Sequence, residues 1–318
     1  VGVAAFPGAD ISSLLAVTAM AWQVVDGPRA QLGEGLHWDT LRGCLWMTDI
    51  LGAELRRWWP GTGSWQSWQL PQRLGWVLPH VEDGTVLLGL QGGLARTRDA
   101  LAVGNAPELA WVARPFAGRP SLRLNDAKAD STGAVWAGSL NHDDESLSEG
   151  CLYRLGIDGK LSVVDEGYKV ANGPAISADE RLMLHTDSGR RLILAFDLDV
   201  VAGTLARRRV WQQFSPAEGY PDGMCFDAEG CVWIAHWDGA CVSRFTPDGS
   251  LLRREQLPTS QITNVCFGGR NLDRLFVSSA CVGLLPEQLV AEPLAGALFE
   301  IIDPGVRGLA AHPWRGVS

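Results

Sequence analysis

The stretch GYPDGMCFDAEGCVWIAHWDG occupies residues 219–239. Its second half, Asp227-x-x-Gly230-x-x-Trp233, reads as a tight turn entering a strand, because Asp and Gly supply turn geometry and the residues that follow are β-branched, aromatic and apolar. Its first half places a carboxylate, Asp222, between Pro221 and Gly223 at the mouth of the preceding strand. A bare acid there has meaning only if the pattern recurs.

It does recur. Asp39-x-x-x-Gly43-x-x-Trp46 and Asp130-x-x-Gly133-x-x-Trp136 repeat the turn, and weaker copies begin at Asp83, Asp179 and Gly268. Trp46, Leu87, Trp136, Leu184, Trp233 and Phe276 mark equivalent points, separated by 41 to 49 residues. A period of that length with several short strands per unit predicts a β-propeller, each unit being one twisted antiparallel blade. Six units run from about Trp22 to Arg307, so the expectation is an all-β, six-bladed propeller forming a single domain over residues 21–318. Ring closure should pair the strand at AWQVV with the last repeat near ALFEII.

Asp222 lies 11 residues before Trp233. At the same phase stand Glu34 before Trp46, Asn125 before Trp136 and Asn172 before Leu184. Radial symmetry aims equivalent positions of the inner strands at the central axis from one end of the ring. Two carboxylates and two carboxamides therefore converge on a small volume with no basic residue at that phase. Like charges so placed repel, and a divalent cation resolves the conflict. Oxygen donors suit Ca²⁺, Mg²⁺ or Mn²⁺, with Zn²⁺ and Fe²⁺ also open. Turns are rich in Asp, Asn and Gly in any case, but a shared phase in four units, one of them Glu, is more specific than any single member. The other two units offer Gly75-Trp76 and Thr263-Asn264, which places Trp76 to wall the cavity and Asn264 to reach a ligand.

The net charge of -9 and the lack of a basic stripe argue against a nucleic-acid partner. Seven cysteines without a CxxC pair read as small core residues in a reducing compartment. Residues 1–20 lack the charged start of a signal peptide and are broken by Pro7, Gly8 and Asp10, so the expectation is a poorly ordered extension, no membrane span and a cytoplasmic location. Six closed blades need no partner, which suggests a monomer or weak oligomer.

The segments LGEGLHWD, RLNDAKADSTGAVWAGS, NGPAISAD with HTDS, YPDGMCFDAEGCVW and CFGGRNLDRLFVSSA, in that order, resemble the SMP-30/gluconolactonase/regucalcin-like family over nearly the whole chain, closest to its bacterial aldonolactonases. The resemblance implies that Glu34, Asn172 and Asp222 are metal ligands, that Asn125 serves metal or substrate, that Arg123 contacts substrate and that Asp143 matches a rim acid. Ala127 departs from the family pattern, where glycine follows Asn-Asp. The activity implied is metal-dependent hydrolysis of a pentono- or hexonolactone, with Asp222 as candidate general base. Alternatives are a related hydrolase of organophosphates or other esters, and a non-catalytic calcium-binding or docking propeller. No GxSxG, HExxH or GxxxxGK[ST] motif is present.

Overall fold

In a computed structural model, residues 22–98, 101–102 and 106–316 are described. The expected extension at residues 1–20 lies outside them. The described chain is nearly all β: twenty-four strands, β1 to β24 in chain order, and one six-residue helix, Pro286–Ala291. The strands form six four-stranded antiparallel sheets, the six-bladed propeller that the repeat predicts. The innermost strands are β2 (Gly33–Asp39), β6 (Leu74–Pro79), β10 (Leu122–Ala129), β14 (Ala171–Ile176), β18 (Tyr220–Phe226) and β22 (Ile262–Gly268). Five blades are built from consecutive strands. The sixth is completed by β1 (Trp22–Val25), which pairs with β24 (Leu298–Ile302) in the register Trp22↔Ile301 to Val25↔Leu298. Ring closure is thus the seam expected from sequence.

The recurring turn has a side-chain explanation. Asp130 Oδ1 accepts the backbone N–H of Thr132 at 2.9 Å, while its Oδ2 accepts the indole N–H of Trp136 at 2.9 Å. Asp227 does the same for Glu229 and Trp233, both at 2.9 Å. The acid therefore caps the turn and satisfies the one polar atom of a tryptophan buried between blades. Trp46, Trp136 and Trp233 are almost wholly buried, and so are Leu87, Leu184 and Phe276 at the same point of the other blades.

Every inner strand carries a β-bulge at one point, where an extra residue is inserted against its neighbour: between Glu34 and His37, Leu74 and Trp76, Leu124 and Ala127, Asn172 and Ala175, Pro221 and Met224, and Ile262 and Asn264. Bulges bend a strand and re-aim its side chains. Here they bring Glu34, Gly75, Asn125, Asn172, Asp222 and Thr263 to one level. Hydroxyls tie adjacent blades at that level. Thr48 Oγ1 donates to Gly75 O at 3.1 Å, Thr186 Oγ1 to Asp222 O at 3.3 Å, and Thr263 Oγ1 to Gly33 O at 2.5 Å.

Candidate active site

The ring level opens into a cavity of about 690 Å³ whose floor includes Glu34, Asn125, Asn172 and Asp222, with Arg123 on its wall. All five are at least nine-tenths buried. Asn172 Nδ2 donates to Asp222 Oδ1, and Asn172 Oδ1 accepts Gly173 N–H at 2.9 Å. Arg123 donates to Asn125 Oδ1 at 2.6 Å and to Leu124 O at 3.1 Å, and Asn125 Nδ2 donates to Ala171 O at 3.0 Å. The Asn125 oxygen is therefore turned to the guanidinium, which it holds at the edge of the site.

Beneath these groups lies a second layer. Asn264 Nδ2 donates to Glu34 Oε2 at 3.0 Å and to Asp126 Oδ2 at 3.2 Å. Asn264 Oδ1 is buried and meets no hydrogen-bond donor among the described residues. Asp126 has no counterpart acid at its phase in the other units, but it directly follows Asn125 within the bulge between Leu124 and Ala127.

Charge is in deficit here. Burial, and then repulsion by Asp126, push the Glu34 carboxyl up to about 8. Burial, and then Glu34, raise Asp222 well above the carboxylate range. Burial pulls Arg123 down to about 10, opposed by Glu145, Glu34 and Asp222, so the guanidinium stays protonated at neutral pH. Carboxyls driven toward protonation by burial and mutual repulsion, beside carboxamides and an unpaired buried oxygen, fit a hard divalent cation. Among the described residues no group of three or more His, Cys, Asp or Glu is set to hold a metal. An ion here would draw on Glu34, Asp222 and carboxamide oxygens together.

Two sequence expectations need correction. Trp76 does not wall the cavity. Blade 2 spends its axial position on Gly75, and Trp76 turns into the inter-blade core with Leu122 and Leu124, its ring lying over Gly89. Asp143 is exposed and outside the cavity lining, while Glu145 lines it. Asn141 Oδ1 accepts the N–H groups of Asp143 and Asp144, each at 3.1 Å. That turn sets which acid of the loop faces inward. The rim also carries Arg73, His142 and Lys169, none of which has a repeat-based signal.

Fold and site together define a six-bladed propeller with an acidic, amide-rich axial cavity. Residues 32–281 match the family described as SMP-30/Gluconolactonase/LRE-like region, and the chain belongs to that family. It is similar to regucalcin of Danio rerio, with 31% identity over 90% of this chain and 95% of the relative. It is also similar to 6-deoxy-6-sulfogluconolactonase of Pseudomonas putida, with 32% identity over 84% of this chain and 90% of the relative. A solved structure described as the calcium-binding protein regucalcin from Agrobacterium tumefaciens superposes with a TM-score of 0.86 at 26% identity, covering 94% of this chain and 98% of the other.

Proposed function

We propose that the protein is a divalent-cation-dependent lactonase that opens a pentono- or hexonolactone to its aldonic acid. The observation that carries this reading is the pair Glu34 and Asp222, two buried carboxyls on one cavity floor that burial and mutual repulsion push up even with Arg123 on the wall beside them. The similarity to a sulfogluconolactonase supports the reaction class, and the calcium-binding description of a structural relative supports the ion. Glu34, Asp222 and Asn172 would hold it, with Ca²⁺, Mg²⁺ or Mn²⁺ favoured over Zn²⁺ or Fe²⁺ by oxygen-only donors. When bound, the ion supplies Lewis acidity to a lactone carbonyl and to the negative charge that develops there.

The chain's own groups do the rest. Asp222 accepts from Asn172 through Oδ1, which leaves Oδ2 to orient and deprotonate a water, so Asp222 is assigned the general base. Arg123, fixed by Asn125, donates to substrate oxygens and to developing charge. Glu145 and Asn125 complete the polar rim that selects the sugar.

The seven cysteines are all free, which supports a cytoplasmic location, and no helix among the described residues is long and apolar enough to cross a membrane. The partner is the small sugar lactone alone, with the protein acting as a monomer or weak oligomer.

Proton release from an aldonolactone panel, with metal-stripped protein and each ion added back, tests the reading, and Asp222→Ala is the site control. Activity that requires the ion and vanishes in the variant supports it. Background rates with every ion sink it, and would leave a calcium-binding platform, for which the regucalcin relatives are the support. Aryl esters and organophosphates in the same panel separate the other hydrolase chemistries.

A further inference from the structure

Three residues beyond the acid ring, the inner strands form a second ring. His37, Lys128, Ala175, Cys225 and Cys266 pair with Trp46, Trp136, Leu184, Trp233 and Phe276 respectively, and all five line a separate cavity of about 310 Å³. Leu309, Ala310, Ala311 and His312 of the C-terminal segment also line it. The two cavities share no lining residue.

The walls of this lower cavity are mostly aliphatic, aromatic or sulfur-bearing. Burial pushes the Cys225 and Cys266 thiols up and draws His37 down to about 4, so these groups are neutral at pH 7. Glu180, a carboxylate in the lining, accepts from Ser131 N at 2.7 Å and lies 3.7 Å from His312. Lys128 is different. Its ammonium makes no hydrogen bond or ion pair among the described residues; burial opposes its charge, and Asp126 foremost, with Glu34 weaker, favours the charged form. An apolar chamber with one unpaired cation is complementary to an apolar ligand with one anionic head, and its volume lies at the lower end of small-molecule sites.

We propose that the lower cavity binds a monocarboxylate with an apolar body, its carboxylate held by the Lys128 ammonium. This site lies further along the inner strands than the upper cavity, shares no lining residue with it and does not depend on the lactonase reading.

The chain has only three lysines: Lys128 in this cavity, Lys169 in the upper one and the exposed Lys160. Reductive ¹³C-methylation of the full-length protein keeps each charge and gives one NMR signal per lysine plus the α-amino group. Hexanoate, octanoate and 3-phenylpropanoate are titrated, each against its primary amide, and Lys128→Arg assigns the signal. A saturable shift of the Lys128 signal with acids, at least tenfold weaker with amides and with Lys169 and Lys160 unmoved, is the expected result. A response of Lys169 alone, equal binding of acid and amide, or no shift at Lys128 overturns the proposal. Because the acid–amide comparison is made on the wild-type chain, it stands even if Lys128→Arg fails to fold.

Discussion

Asn264 Nδ2 lies 3.0 Å from Glu34 Oε2, although 230 residues separate the two in the chain. The same nitrogen reaches Asp126 Oδ2 at 3.2 Å, so one carboxamide holds two acids of the axial site in place. Hydrogen bonds to charged groups contribute about 1.5–3 kcal/mol. Asn264→Ala should therefore weaken Ca²⁺ binding by roughly 10- to 100-fold, read by calorimetric titration of metal-stripped protein. Unchanged affinity would show that the carboxylates need no such support.

Arg123 is anchored by Asn125 Oδ1 at 2.6 Å and Leu124 O at 3.1 Å. One nitrogen of the guanidinium serves both acceptors, and lysine cannot keep that anchor while presenting a second planar pair of N–H groups to the cavity. Arg123→Lys should lower kcat/KM for the lactone by about 10- to 100-fold, the equivalent of one charge-assisted hydrogen bond, while Ca²⁺ affinity moves little. A parallel loss of Ca²⁺ binding would assign Arg123 to the metal site instead.

Gly75 holds the axial position of blade 2, and a Cβ there would sit 2.3 Å from the Asn125 carbonyl oxygen. Backbone cannot yield that distance cheaply, so Gly75→Ala should cost about 1–3 kcal/mol by overpacking. Gly61, whose Cβ would meet nothing within 4 Å, is the control. Urea denaturation compares the two, and equal stability of both variants would refute the close approach as the reason for glycine.

Asp130 serves both a turn and a buried indole, at 2.9 Å each. Asp130→Ala leaves the Trp136 nitrogen unpaired and removes the turn cap, so a loss of about 2–4 kcal/mol follows from two unsatisfied groups. Asp158, in an exposed turn where its carboxylate accepts Lys160 N–H at 3.1 Å, should cost under about 1 kcal/mol when replaced by Ala. A reversed order would remove the physical basis given for the repeat.

His185 is fully buried and stacks edge-on to Tyr168 at 4.7 Å, with neither ring nitrogen hydrogen-bonded among the described residues. Burial draws it down to about 3, below the ordinary imidazole value near 6.5. Its contribution is complete above pH 6.5 and is lost as pH falls from there toward 3, by up to about 1.4 kcal/mol per pH unit. In calorimetric melts from pH 7 to 4, His185→Leu should lose stability less steeply than wild type. Parallel curves would mean that His185 is protonated in the fold.

Much of this was legible from residues alone because the decisive signals are local. Asp, Gly and Trp at fixed spacing encode a capped turn and the acceptor for an indole, and counting back from that Trp finds Glu34, Asn125, Asn172 and Asp222. The ring seam was legible too, since AWQVV and ALFEII are the strands left over. Trp76 misled because phase alone cannot say which side of a bulge faces the axis. Asp143 misled because the NHDDESLSEG loop has no period, and its conformation follows from the Asn141 side chain accepting two backbone N–H groups. Arg73, Lys169 and Glu145 reach the rim from connections between strands, where nothing repeats.

The seam between β1 and β24 makes the axial site a clasp as well as a pocket. Glu34 stands in the first blade, and its partner Asn264 stands 230 residues later in the blade that β1 and β24 close. A ligand seated on the axis would be held by Glu34, and Glu34 is itself held by Asn264 of the closing blade, so its binding free energy adds to closure of the ring. Occupancy of the site then reports that the circle is complete. A molecule opened at the seam would retain most of its blades and forfeit its grip on the ligand.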